Sequence, residues 1–182
     1  MKLQKFGIKL FFDTTNNYKS TDYIPVFHKW IQNKLINDHL LIDVADYSHI
    51  LDGPGVMLIA HEGNFSLDQE NNQFGLMYMR KTNLDGAFGD RFINVLSTVI
   101  DAAKHLTNNT NLNFINNSFR FIANDRLYAK NTLENQNLYK KEIQRVIKSN
   151  YPHNNIYYED ISSKGERLAF SVKFDDPINL LK

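Results

Sequence analysis

Three short apolar runs follow one another in the first half of the chain, and turn-forming segments separate them. They occupy residues 40–45, 56–60 and 74–79. Each run is too short for a typical helix, and the intervening Gly53-Pro54-Gly55 sequence and the polar segment 68–73 favour reversals of the chain. The pattern therefore predicts three consecutive strands that form an antiparallel meander.

Amphipathic helices and further strands are predicted around this meander. Apolar residues recur at helical spacing over 24–35, over 90–106 and after Thr132, which is a good helix-capping residue. Other apolar runs predict strands near the start of the chain and in its last third. The predicted fold is α+β, with a central, mostly antiparallel sheet and about three helices. The order strand, helix, strand, strand in each half is compatible with two βαββ-like units, and parallel α/β alternation is the weaker rival.

The composition sets limits on function. The chain has 182 residues, a hydrophobic fraction of 42%, no cysteine and a formal net charge of +1. These values predict a single globular domain over residues 1–182, with a sub-unit boundary at the Asn-rich segment 107–117. A near-neutral chain has no global field to attract nucleic acid, and a cysteine-free chain excludes disulfides and thiolate chemistry. No apolar run reaches the length of about 18 residues that a membrane span needs, so the expected location is the cytoplasm.

Asp43 is the most unusual residue of the predicted meander. Pairing 40–46 with 55–61 places Asp46 opposite Gly55 and Ile42 opposite Ile59, and both faces of the sheet are then apolar. Asp43 falls within one apolar layer, where an unpaired carboxylate is costly. Either a cationic or backbone partner or a wet sheet edge compensates it, or Asp43 is a general acid or base, or a metal ligand. A register slip of one residue would exchange the two faces.

Polar residues at the ends of the predicted strands are the candidate binding groups. Strand ends and loops on a rigid sheet are common positions for such groups. The candidates are Asp46, His49, His61, Glu62 and Arg80, together with Asp125 and Arg126 after a later strand. His61, Glu62 and Asp46 are weak metal candidates, because the sequence lacks the second histidine of a specific motif. No particular cofactor is indicated.

Two stretches resemble a family of uncharacterised bacterial proteins. They are residues 24–32 (IPVFHKWIQ) and 40–49 (LLIDVADYSH), followed by GPGV at 53–56 and His61-Glu62. The resemblance implies an intracellular bacterial protein, and it carries no activity that can be transferred to this chain.

The sequence thus predicts a binding or accessory module for a small polar ligand or for a partner protein. Two alternatives stay open. One is a metal-assisted hydrolase or isomerase in which Asp43 moves a proton. The other is a subunit of a homo-oligomer whose apolar sheet face is completed by a symmetric partner. Neither nucleic acid nor a membrane is an expected partner.

Overall fold

Eight strands and three α-helices make up the described part of this computed structural model, which comprises residues 1–14, 18–162 and 165–176. The strands are β1 (Phe6–Asp13), β2 (Leu41–Tyr47), β3 (Gly55–Ala60), β4 (Gly63–Asp68), β5 (Gly75–Arg80), β6 (Asn113–Ala123), β7 (Ile156–Asp160) and β8 (Ala169–Phe174). The helices are α1 (Ile24–Asn33), α2 (Phe88–Asn109) and α3 (Leu133–Asn150). Short 3₁₀ turns occupy Ser20–Tyr23 and Glu70–Asn72.

All eight described strands belong to one antiparallel sheet. Its order is β2-β3-β4-β5-β1-β6-β8-β7, and every neighbouring pair is antiparallel. The α+β prediction is therefore confirmed, and parallel alternation is excluded for these strands. The order β6-α3-β7-β8 is a βαββ unit, whereas β1-α1 is followed by four strands. No helix in the described ranges is long and apolar enough to cross a membrane.

The three helices pack on one face of the sheet. One core cluster joins their apolar stripes to alternate residues of the strands, among them Phe27, Trp30, Phe92, Val99, Tyr139, Ile143, Ile8, Leu76 and Phe121. The opposite face, called the open face below, carries the side chains that alternate with these, including Lys9, Ser66, Met77 and Arg120. Within the described ranges, no residue of an α-helix lines the cavities of the open face.

The predicted register of the first hairpin is wrong by one residue. Asp46 pairs with Val56 and Asp43 pairs with Ile59, because a bulge follows Leu41 and shifts the ladder. The prediction that residues 56–60 and 74–79 are neighbours is also wrong, since β4 lies between them. β2 is the first strand in the order of the sheet and therefore an edge strand. Asp43 is exposed there, not buried in an apolar layer.

The Asn-rich segment 107–117 is shared between regular elements. It holds the last turn of α2 and the first residues of β6, and three residues, Thr110 to Leu112, lie between them. The sheet continues across this point of the chain, because β1 pairs with β5 on one side and with β6 on the other.

Gly55 offers a direct test of the packing between the β2–β3 loop and β4. Its φ is +62°, and a Cβ atom there would lie 2.3 Å from the Leu67 carbonyl oxygen. We expect Gly55→Ala to lower the free energy of unfolding by about 2–6 kcal/mol, from backbone strain and overpacking together. Urea denaturation measures the change.

Gly165→Ala is the matched control. Gly165 has a φ of +94°, but no atom of the described residues lies within 4 Å of its would-be Cβ. Gly165→Ala should therefore lower the free energy of unfolding by backbone strain alone, about 1–3 kcal/mol. Equal losses for both variants would contradict the close approach at Gly55.

Candidate functional site

The residues predicted to form a site around the first hairpin do not converge. Asp46 pairs with Val56 at one end of the hairpin, whereas the His61 amide donates to the Leu40 carbonyl at the other, at 2.9 Å. Five residues of extended strand separate the two ends, which is about 16 Å. The structure therefore does not bring Asp46 and His61 to one opening.

Most of these acidic side chains accept a hydrogen bond from a backbone amide. Asp43 accepts from the Val44 amide and Asp46 from the Ser48 amide, each at 2.8 Å. The hydrogen bonds from Ser48 hold the pKa of Asp46 below its ordinary value. Glu62 accepts from the Leu40 amide at 2.8 Å. Among the described residues, no three His, Asp or Glu side chains are grouped so that they could hold a metal ion.

Arg80 belongs to a series of hydrogen-bonded side chains on the face of the sheet that the helices cover. Its Nη1 donates to the Tyr78 hydroxyl at 3.2 Å, and that hydroxyl lies 2.6 Å from Nε2 of His39. His39 Nδ1 lies 2.8 Å from the Asn37 carbonyl, which can only accept. Nδ1 therefore carries the proton, and Nε2 accepts from Tyr78. Burial lowers the pKa of His39, and the bond to Asn37 opposes the shift, so the series is built around a neutral imidazole.

The centre of the open face holds a buried ion pair. Lys9 on β1 is 0% exposed and pairs with Asp68 on β4. Its aliphatic stem crosses the intervening strand β5 at Gly75, where a Cβ would lie 2.8 Å from the Lys9 Cε. Gly75 is opposite Asp68 in the β4–β5 register. The absence of a side chain at Gly75 thus opens the path by which Lys9 reaches its carboxylate.

Arg120 lies beside Lys9 on the next strand and is less completely paired. It is only 3% exposed, and its Nη2 donates to the Gln73 side-chain oxygen. Its Nη1 lies 3.7 Å from a Glu70 carboxylate oxygen, a separation too long for a hydrogen bond. The guanidinium carbon lies 5.4 Å from the centre of the Phe11 ring, and no described residue forms a hydrogen bond with its Nε. A buried cation with an unused donor is thus part of this face.

Arg120 lines a polar cavity of about 430 Å³. The cavity also includes Arg126, one of the residues predicted from sequence, and Arg167. A second cavity of about 250 Å³ has Arg167, Asp52 and Glu70 in common with the first. The two together are called the open-face cleft below. The cleft is largely charged at its rim and has Arg120 in its wall.

The smaller cavity of the cleft also contains a buried polar atom that lacks a partner. Asn64 donates through Nδ2 to the Met57 sulfur at 3.4 Å, while its buried Oδ1 has no donor among the described residues. Both residues line this cavity. Each cavity of the cleft thus has one lining residue, Asn64 or Arg120, with a buried polar atom that is not hydrogen-bonded to a described residue.

Two loops of the first half are fastened together at the cleft. The Asn71 amide donates to Asp52 at 2.9 Å, and the Gln69 amide donates to the Gly53 carbonyl at 3.3 Å. The Gly53-Pro54-Gly55 sequence therefore contributes to the cleft wall as a turn. Asp125 stabilises its own turn by accepting from the Leu127 amide at 3.0 Å, and it does not line the cleft.

A third cavity on the same face, of about 420 Å³, has a different character. Its lining includes three phenylalanines, Phe11, Phe12 and Phe74. Of its three charged residues, Asp13 is exposed, and Lys173 and Glu159 pair with each other at 2.6 Å. It therefore leaves no buried charge for a ligand to match.

Sequence reasoning missed Lys9, Asp68 and Arg120. Lys9 and Arg120 are each flanked by apolar residues, in Ile8-Lys9-Leu10 and Phe119-Arg120-Phe121. A cation at an inner position of an apolar strand is a usable sign of a polar sheet face. The sequence does not indicate that Asp68 is the partner of Lys9, since the two residues are 59 positions apart in the chain.

Comparison with known proteins adds no family. No protein-family model matches the chain, and a search of curated proteins finds no match. The resemblance of residues 24–32 and 40–49 to a bacterial family stays a prediction, and the function has to be argued from the geometry of the cleft.

The Lys9–Asp68 pair can be tested by a double-mutant cycle. Lys9→Met leaves Asp68 buried without its cation, and we expect a loss of about 3–5 kcal/mol of unfolding free energy. Adding Asp68→Leu should recover most of that loss, because two apolar side chains need no partner. Urea denaturation of the wild type, the two single variants and the double variant gives the coupling free energy between Lys9 and Asp68.

The Lys173–Glu159 pair provides the control, since its side chains are 54% and 58% exposed. Lys173→Met should cost less than about 1 kcal/mol. A loss of the same small size for Lys9→Met would show that Asp68 finds water or another donor when Lys9 is removed.

The lowered pKa of His39 predicts that the protein loses stability in acid. The folded pKa of His39 lies below that of an unfolded histidine, about 6.5, so the unfolded chain binds the proton first as the pH falls. The contribution is complete above about pH 6.5 and is lost below it. His39→Gln should flatten the fall of unfolding free energy between about pH 7 and about pH 5.

His153→Gln, which alters an exposed histidine, is the control for the substitution itself. Identical slopes for wild type and His39→Gln would contradict the neutral state assigned to His39.

Proposed function

We propose that this protein is a binding module that holds a small polar ligand in the open-face cleft. The larger cavity, about 430 Å³, has the size of a typical small-molecule site. Its wall consists of strands and fastened loops, so the binding groups are held in place before a ligand arrives.

The observation that carries the proposal is a pair of unsatisfied buried atoms on residues that line the two cavities of the cleft. Among the described residues, Arg120 Nε has no acceptor and Asn64 Oδ1 has no donor; Tyr18, Trp30 and Arg91 also have such an atom, but none of these three lines the cleft. A buried polar group without a partner costs about 1–3 kcal/mol, and folded proteins usually avoid this cost. A polar ligand that draws these atoms into contact would recover part of that free energy.

The alternatives drawn from sequence have less support. The metal-assisted hydrolase or isomerase needs Asp46 or His49 to join His61 and Glu62. The hairpin register holds Asp46 at the opposite end, and His49 follows Asp46 in the loop between β2 and β3. The homo-oligomer was inferred from an apolar sheet face that needs a partner. The larger apolar face of this sheet packs against the helices, and the buried apolar cluster of the open face is small, with Met77, Ile122 and Ala169 at its centre.

The proposal can be tested with a panel of neutral, cationic and anionic polar compounds of metabolite size. Amide resonances are recorded by ¹H–¹⁵N NMR as each compound is added. At least one compound should shift resonances of the cleft, such as those of Asp52, Asn71 and Arg167. Ala169→Leu, which places a larger side chain at a position that lines the larger cavity, should weaken this binding about tenfold or more.

Ala45→Leu is the matched control. Ala45 lies opposite Met57, so it shares the open face, but it lines none of the cavities found there. Its binding should equal that of wild type. Shifts confined to the His61 end of the first hairpin, or no binding by any compound, would refute the proposed function.

A further inference from the structure

The buried charges at the centre of the open face, next to the open-face cleft, do not all have an opposite charge beside them. Lys9 and Asp68 are both buried and neutralise each other. Arg120 is buried beside them, and its hydrogen-bonded partner is the uncharged Gln73. Glu70, the nearest carboxylate that pairs with it, is 41% exposed and stands off at 3.7 Å. The centre of the open face therefore carries one buried cation that is only weakly compensated.

The protonation equilibrium of Arg120 agrees with this balance. Burial lowers the pKa of Arg120, and the carboxylates of Glu70 and Asp68 only oppose the shift. A guanidinium stays charged in proteins, so the charge is retained at a cost that an anion in contact with it would reduce.

The rim of the larger cavity carries charges of both signs. Arg126 and Arg167 line it together with Asp52, Glu70 and Glu166. Both arginines are exposed, and Arg167 donates to the Asn124 side chain at 3.2 Å. Guanidinium groups form forked hydrogen bonds that match the paired oxygens of carboxylates and phosphates.

We propose that the cleft recognises its ligand through an anionic oxygen group, a carboxylate or a phosphate, that binds Arg120. This inference rests on the proposed function and narrows the ligand to small anions. Glu70 competes for Arg120 when the cleft is empty, and the incoming anion takes its place. Arg126 and Arg167 lie at the rim together with Asp52 and Glu166, so the preference for an anion comes mainly from Arg120.

The test uses two probes, inorganic phosphate and succinate, with sodium chloride at equal ionic strength as the reference. The ¹H–¹⁵N resonance of the Arg120 Nε–H group reports contact directly, and it is assigned from its loss in Arg120→Lys. One probe should shift this resonance saturably. At about 100 times its Kd, that probe should raise the unfolding midpoint by about 5–10 °C. The tighter probe identifies the ligand as a phosphate or a carboxylate.

Three variants distinguish recognition from a structural role. Arg120→Lys keeps the charge but loses the fork, and should weaken the probe about tenfold or more. Arg126→Gln should weaken it by about 2–5-fold. Glu70→Gln should strengthen it by about 2–5-fold, because it removes the competing carboxylate. The exposed Arg145→Gln, on α3 away from the cleft, should have no effect.

Each outcome decides the inference. Tighter binding in Glu70→Gln together with weaker binding in Arg126→Gln supports it, even if Arg120→Lys does not fold. Equal shifts with sodium chloride, equal effects in Arg145→Gln, or no shift by either probe overturn it. If a neutral or cationic compound of the panel binds the cleft while neither anion does, the proposed function stands and the anionic ligand is refuted.

Discussion

The three helices pack on one side of the sheet, so the other side has to shield its backbone with loops and with its own side chains. Long charged residues serve this purpose well, because their aliphatic stems cover the strands while their charged ends find partners. Lys9 lies over Gly75 and ends at Asp68, and Phe11 packs over both Lys9 and Arg120. The fold therefore depends on buried charge at the centre of its open face.

Buried charge is stable only where it is matched, and the two central cations differ in this respect. Lys9 has a buried carboxylate in direct contact. Arg120 has an amide oxygen and a more distant, partly exposed carboxylate. The residue that shields the sheet is therefore also the residue with binding capacity left over. Under the proposed function, the same side chain would both cover the sheet and bind the ligand.

Local patterns were sufficient to predict the α+β class, the helices and the strands of the first hairpin. They failed for β4, although Asn64, Ser66 and Asp68 alternate there with Phe65 and Leu67 as in a strand with one polar face. The predicted meander leaves this segment within the connection between residues 60 and 74. With β4 missing, the neighbours of β5 were wrong, and the open face could not be recognised as polar. Pairings between distant strands depend on register, which composition and periodicity do not contain.

The position of β1 in the sheet has a consequence for the order in which the molecule is built. β1 comes first in the sequence but lies between β5 and β6, so one of its edges stays open until the ribosome has delivered Asn113 and the residues that follow. Its apolar side would be exposed to aggregation in that interval. Helix α2 is synthesised after β5 and before β6, and it packs on both β1 and β5. The nascent half-sheet thus receives its cover before its last neighbour arrives.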